Sequence, residues 1–238
     1  MTGRPDLVLR TMDAVRPGAS RSDLGVQRAE EVLDAAAAVF SRLGYDGSSI
    51  DDVADELGAT KGRVYHYFRS KADLLLGVLT VGAQRLIDLI RPIAQDTSLS
   101  PPDKLRRMAR AHAMTMMTEH AYHRVGLQAF DQLFAKGPRQ AEWEIVLGLR
   151  GEYEQLYLSA VEEGQASGAF AEADPRVVVR GLLGALNWLT VWYRPATDPV
   201  TAPRLSDEQI ADTTAEFVVA GTIGLRPRLD EKRTVADE

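Results

Sequence analysis

The stretch from Ser48 to Lys71 constrains this chain more than any other, because it compresses two short helices of opposite charge and a glycine turn into 24 residues. Ser49 reads as an N-cap, with Asp52 three positions on as a carboxylate variant of the capping box. Ile50, Val53, Ala54 and Leu57 recur at helical spacing and give one apolar face. A first helix is therefore expected over Ser49 to Leu57. Gly58 supplies the left-handed residue that ends it, and Thr60 can cap a second helix running to Tyr67. Two short helices joined through about three residues make a helix-turn-helix.

Between Ala59 and Ala72 stand four cations, Lys61, Arg63, Arg69 and Lys71, and no carboxylate, in a chain of formal net charge −6. This local reversal of sign, on this helix pair, points to double-stranded DNA. Gly62 permits close approach to a phosphodiester. Thr60, Lys61, Arg63, Tyr65 and His66 lie toward the start of a helix that would enter the major groove, where they can meet phosphates or base edges. Arg63 is the candidate for base readout. Tyr65, Tyr67 and Lys71 suit phosphate clamping, since a phenol or ammonium binds phosphate without bidentate geometry. Ser49 completes the DNA-binding set. A solvated helix pair in an ordinary all-helical protein has the same spacing, so the spacing alone leaves both readings open.

The wider pattern is more specific. Ala36 and Phe40 ahead of the pair, the Gly44-Tyr45 exit, Ile50 and Val53-Ala54 within it, and the run from Tyr65 to Lys71 at its close stand in a characteristic order. From Arg28 to about Leu79 the chain resembles the N-terminal DNA-binding domain of the TetR family of transcriptional regulators. Arg63 departs from that pattern, which often has a small polar residue there. The resemblance implies an all-α fold: a three-helix DNA-binding domain followed by a larger helical domain that binds an effector and dimerises. The expected division is a flexible arm over 1–24, the helix-turn-helix domain over 25–72, the effector and dimerisation domain over 73–225, and a polar tail over 226–238. The arm carries Arg4, Arg10, Arg16 and Arg21, and either brushes the minor groove or hangs as a plain tail.

Composition narrows the alternatives. At 238 residues and 45% hydrophobic content the core needs no covalent staples, and the chain has no cysteine. No apolar run approaches the roughly 20 residues of a membrane span, and no signal-peptide core opens the chain, so a cytoplasmic protein is expected. Residues 72–238 hold 18 cations and 23 carboxylates, which confines DNA contact to the N-terminal unit. No Gly-x-Ser-x-Gly, His-Glu-x-x-His or Walker run is present, and neither enzyme activity nor a cofactor is expected. His120 and His123 beside Glu119, with His112 nearby, could share a metal, but without a fixed third ligand they read as polar surface. A helical enzyme or ligand carrier is the rival class, separated from a regulator by sequence-specific DNA binding.

Beyond Lys71 the pattern is helical throughout. Leu74, Leu75, Val78, Leu86, Leu89, Ile90 and Ile93 stripe a long linking helix opened by Ser70 and Asp73. Further helices are expected from Pro101 to about His120, on to Phe134, from about Arg139 to Ala166, from Asp174-Pro175 through Trp192, and from the Ser206 to Gln209 capping box to about Leu225. The helix over Val177 to Trp192 is apolar nearly all round, with Gly181, Gly184 and Ala185 lowering its surface, and Phe217, Val218 and Ile223 stripe the last helix. Such faces suit either a two-fold four-helix seam or the core of a monomer. The family resemblance implies the homodimer, through the last two long helices.

Met114, Met116, Met117, Phe130, Leu133, Phe134, Trp143, Val146, Leu147 and Tyr153 are flexible or aromatic residues on neighbouring middle segments, which suit ordinary core or an adaptable cavity. The resemblance implies an inducer pocket among these helices. Gly184 to Pro195 is similar to a segment in TetR-family regulators of fatty-acid, acyl-CoA and steroid-ring degradation. That suggests a CoA thioester or hydrophobic acid as the small effector, with Trp188, Trp192 and Arg194 near the ligand or the seam. Arg194 equally suits a helix C-terminus.

Overall fold

A computed structural model describes residues 23–129, 140–194 and 205–224. Within them the chain is helical: α1 (Asp23–Leu43), α2 (Ile50–Glu56), α3 (Lys61–Tyr67), α4 (Lys71–Ala94), α5 (Pro101–Thr118), α6 (His120–Gln128), α7 (Gln140–Ala166), α8 (Pro175–Asn187), α9 (Leu189–Trp192) and α10 (Asp207–Gly224). Residues 1–22 of the expected arm, the polar tail, Phe130, Leu133 and Phe134 lie outside the described residues, while Asp23 and Leu24, expected in the arm, open α1. Among those described, no helix is long and apolar enough to cross a membrane.

The caps read from the sequence form. Ser49 and Asp52 exchange both bonds of a capping box, and the Oγ of Ser70 accepts from the Asp73 amide at 3.1 Å. Asp174 Oδ1 accepts from Arg176 and Val177, and Ser206 and Gln209 bond reciprocally. Thr60 differs. It stands at the N-cap of α3 in an extended conformation, but its side chain makes no capping bond.

Two apolar cores are joined by α4. The first gathers Val32, Leu33 and Phe40 of α1, Val53 of α2, Val64 of α3, Phe68, and Leu74, Leu75 and Val78 of α4. Gly77 is required here: a Cβ on it would lie 2.7 Å from Leu33 Cδ2 and 3.2 Å from Phe68 Cε1. The second takes Leu86 and Ile90 from the far half of α4, Leu105, Met108 and Met116 from α5, Tyr157 and Val161 from α7, Leu182 and Leu186 from α8, and Ile210, Val218 and Val219 from α10. α4 packs along α7, α10 along α5, and α1 directly against α6. Leu89 departs from the expected stripe and stands 44% exposed.

Two expectations for the C-terminal helices change. The helix from Pro175 does not run unbroken to Trp192; it stops at Asn187, and α9 is a separate turn. The Thr190 hydroxyl takes the Asn187 carbonyl at 2.8 Å, while the Thr190 carbonyl meets Nε2 of His120 at 3.0 Å. Val218, expected on a seam, is buried within the chain's own core. Phe217 beside it is 69% exposed and Val177 66% exposed.

Candidate nucleic-acid interface and effector cavity

Val64 and Tyr67 anchor α3 in the first core, which leaves Thr60, Lys61, Gly62, Tyr65 and His66 on its outer side. Gly58, at φ 63°, makes the turn that sets this angle, a conformation in which a side chain would be strained. Lys61 reaches back to Asp51 at 2.6 Å across the turn, and Arg63 pairs with Glu31 of α1. Both pairs are partly exposed, so they hold the side chains only weakly and can be exchanged for phosphate or base. The Ser49 hydroxyl donates to Asp52 at 2.6 Å, and these bonds hold the Asp52 carboxyl below its usual range.

Two of the expected clamps are placed differently. Lys71 Nζ donates to the carbonyls of Tyr45 and Ser48 at 2.6 and 2.8 Å and lies 4.4 Å from the centre of the Tyr45 ring. It fastens the α1–α2 connection from inside, because two carbonyls and a ring face offer the ammonium more than solvent does. Tyr67 is buried, its ring edge-on to His66 at 4.7 Å, because its position on α3 faces the core.

A cavity of about 400 Å³ opens between α4, α6, α7 and α8. Leu79, Gly82 and Leu86 of α4 form one wall, Tyr122, His123 and Gly126 of α6 a second, Val146, Arg150 and Tyr153 of α7 a third, and Leu183, Asn187 and Trp188 close it. The volume lies in the range of small-molecule sites. One wall residue reaches out of the cavity: the Tyr122 hydroxyl donates to Asp34 Oδ1 of α1 at 2.7 Å. Burial, and then the Asp34 carboxylate, push the phenol's pKa up, so it remains a donor. Arg85 lies 4.7 Å from the centre of the Tyr122 ring, 3.3 Å from Glu119, and 3.8 and 3.9 Å from Glu30 and Asp34 of α1.

This pairing of a helix-turn-helix with a cavity-bearing helical domain matches two family models. Residues 32–78 fit the model of bacterial regulatory proteins of the tetR family, and residues 98–222 fit the tetracyclin repressor-like C-terminal domain. The chain belongs to the TetR family. It is 26% identical over 186 residues to the HTH-type transcriptional repressor KstR2 of Mycolicibacterium smegmatis, covering 77% of this chain and 87% of that one. The TetR-family regulator PfmR of Thermus thermophilus superposes with a TM-score of 0.68 at 26% identity, over 79% of this chain and 96% of that one. AibR, solved in complex with isovaleryl coenzyme A and operator DNA, shares the fold with a TM-score of 0.67 at 24% identity, over 80% and 97% of the two chains.

In this TetR-family repressor the side chains assigned from the sequence to a ligand are only partly brought together. Trp188 lines the cavity. Met117 is packed in the second core with Met114 against it, because Met116 is the methionine whose helical phase faces the cavity. Trp143 and Leu147 pack on the first core beside Val146. Trp192 is 47% exposed and does not line the cavity, whereas Thr190 of the same turn does. The Arg194 guanidinium donates to the carbonyls of Val191 and Tyr193 at 3.0 and 2.8 Å and so closes the end of α9. The histidines are not polar surface either: His112 is fully buried, and His123 lines the cavity.

Gly82, Tyr122, His123, Gly126, Arg150 and Asn187 were not legible as lining residues. Gly82 carries the one signal available: a Cβ on it would lie 3.4 Å from Tyr122 Cβ, so the glycine lets α6 approach α4 closely beside the cavity.

Proposed function

We propose that this repressor acts in the cytoplasm as a homodimer, holds an inverted-repeat operator, and releases it when a small hydrophobic effector, such as an acyl-CoA, enters the cavity. Residues 25–72 read DNA and 73–225 sense the effector. Thr60, Lys61, Gly62, Tyr65 and His66 meet the duplex, and Arg63 leaves Glu31 to read a base.

One observation carries the link between the two ends: Tyr122 is at once a wall of the cavity and a hydrogen-bond donor to α1. A ligand that displaces the Tyr122 ring must break or move the Asp34 bond and shift the Arg85 cluster, and α1 carries α2 and α3 with it through the first core. That supplies the differential contact a switch requires. AibR, which shares the fold, is solved with isovaleryl coenzyme A and operator DNA, and the coenzyme A thioester class of effector is taken from it.

The homodimer rests on exposed apolar faces. Val177, Gly181 and Gly184 of α8 and Trp188 at its C-cap recur at helical spacing, and Phe217, Gly221 and Gly224 recur along α10. A large ring and a valine beside glycines favour a close helix–helix seam over a solvated surface. Selection of bound duplexes from a random pool tests the whole reading. The expected product is an inverted repeat with half-sites about one DNA turn, roughly 34 Å, apart or a multiple of it. Recovery of a single asymmetric motif, or of no motif, would overturn it.

A further inference from the structure

Polar side chains of α6, α7 and α8 interrupt the apolar cavity, and the hydrogen bonds behind Asn187 fix which way its amide faces. His112, buried on α5, has Nε2 3.1 Å from Asn187 Oδ1 and Nδ1 2.7 Å from the Tyr153 hydroxyl. An amide oxygen only accepts, so Nε2 carries the ring proton. Nδ1 of the neutral ring is then an acceptor, and Tyr153 donates to it. Burial keeps the ring neutral by pulling its pKa down to about 4.

The consequence falls on Asn187. Its oxygen is held by His112 and its carbonyl by Thr190, while among the described residues nothing accepts from its amide NH2, and the residue lines the cavity. His123 supplies a second group on the same cavity. Its Nε2 is buried without a protein partner and out of reach of a water-sized molecule, so a turn of the ring has to bring it to a ligand; burial, then His112, His120 and Arg85, pull its pKa down to about 3, so it too is neutral. A buried ring nitrogen without a partner is costly unless a ligand supplies one. The cationic member of the wall, Arg150, has Glu154 one helical turn away as a compensating charge.

We propose that the cavity recognises an apolar molecule through one uncharged carbonyl oxygen, that of a ketone or a thioester, held by the Asn187 amide NH2 and by His123, whose ring turns to present Nε2 in the tautomer that carries its proton there. This rests on reading the cavity as the effector site. A carboxylate in the same place would lose its water to two neutral donors, a poor exchange for a charge, while Arg150 on the α7 wall is already offset by Glu154, which lines the same cavity.

The test titrates the full-length protein with four probes of similar length, 2-undecanone, S-decanoyl-N-acetylcysteamine, 2-undecanol and decanoate, and follows tryptophan fluorescence, since Trp188 lines the cavity. The ketone or the thioester should bind at least about tenfold more tightly than the alcohol and decanoate, and which of the two leads identifies the source of the carbonyl. Asn187→Asp should abolish that preference. His123→Leu should reduce it while raising the melting temperature, because the unpartnered nitrogen is gone. Equal or tighter binding of decanoate or the alcohol, or an unchanged preference in both variants, would overturn the assignment. Duplex binding is measured separately without probe. A protein that prefers the carbonyl yet binds no DNA refutes the regulator reading alone, and the reverse result refutes this assignment alone.

Discussion

Lys61 and Lys71 carry the same charge within one motif, yet the structure separates their roles. Lys61 is exposed and paired across solvent with Asp51, whereas Lys71 is tied to two carbonyls and a ring. Lys61→Ala should weaken binding on all duplex sequences alike and flatten the salt dependence by about one unit of slope. Lys71→Ala should leave the slope alone and cost about 1–3 kcal/mol of stability, read by thermal unfolding. Composition could nominate both lysines, but only the fold could show that the α1–α2 carbonyls surround one of them. Tyr122 gives the second test at this scale. Tyr122→Phe keeps the cavity wall and removes the bond to Asp34, so probe affinity should persist while its effect on operator binding shrinks. Unchanged release in that variant would take Tyr122 out of the switch.

At the scale of elements, the sequence was legible wherever a local rule decided the outcome. Capping boxes at Ser49 and Ser206, the N-caps at Ser70 and Asp174, and the turn at Gly58 all appear where read, because each involves residues within a few positions of one another. The α8–α9 break was not legible, since a contact from distant His120 stabilises it. The cavity was half-legible for a related reason. Apolar residues on α5 and α7 announce an interior, but which methionine faces a void depends on how four helices pack. Buried His112 adds a prediction for α5. Its folded pKa, about 4, lies below the usual histidine value, so the unfolded chain binds more protons between the two and stability falls as pH drops through that window. From pH 7 to pH 5 the loss should be on the order of 2 kcal/mol, with His123 adding in the same direction. Melting curves across pH 5 to 7 check it, and His112→Asn should flatten the dependence.

For the whole molecule, a seam, a cavity and a duplex act together. Phe217→Glu places a charge on the exposed α10 face, away from the chain's own core. It should yield a folded monomer by sedimentation that has lost most of its operator affinity, because one recognition helix reaches one half-site only. A wild type that sediments as a monomer while binding the operator tightly would remove the dimer. The central claim, that occupancy of the cavity and occupancy of the operator oppose one another, is reciprocal by thermodynamic necessity. The direct measurement is operator affinity by fluorescence anisotropy with and without saturating S-decanoyl-N-acetylcysteamine, set beside probe affinity with and without operator. Each should weaken the other by the same factor, on the order of 5- to 150-fold. Operator affinity unchanged by a probe that fills the cavity would contradict it.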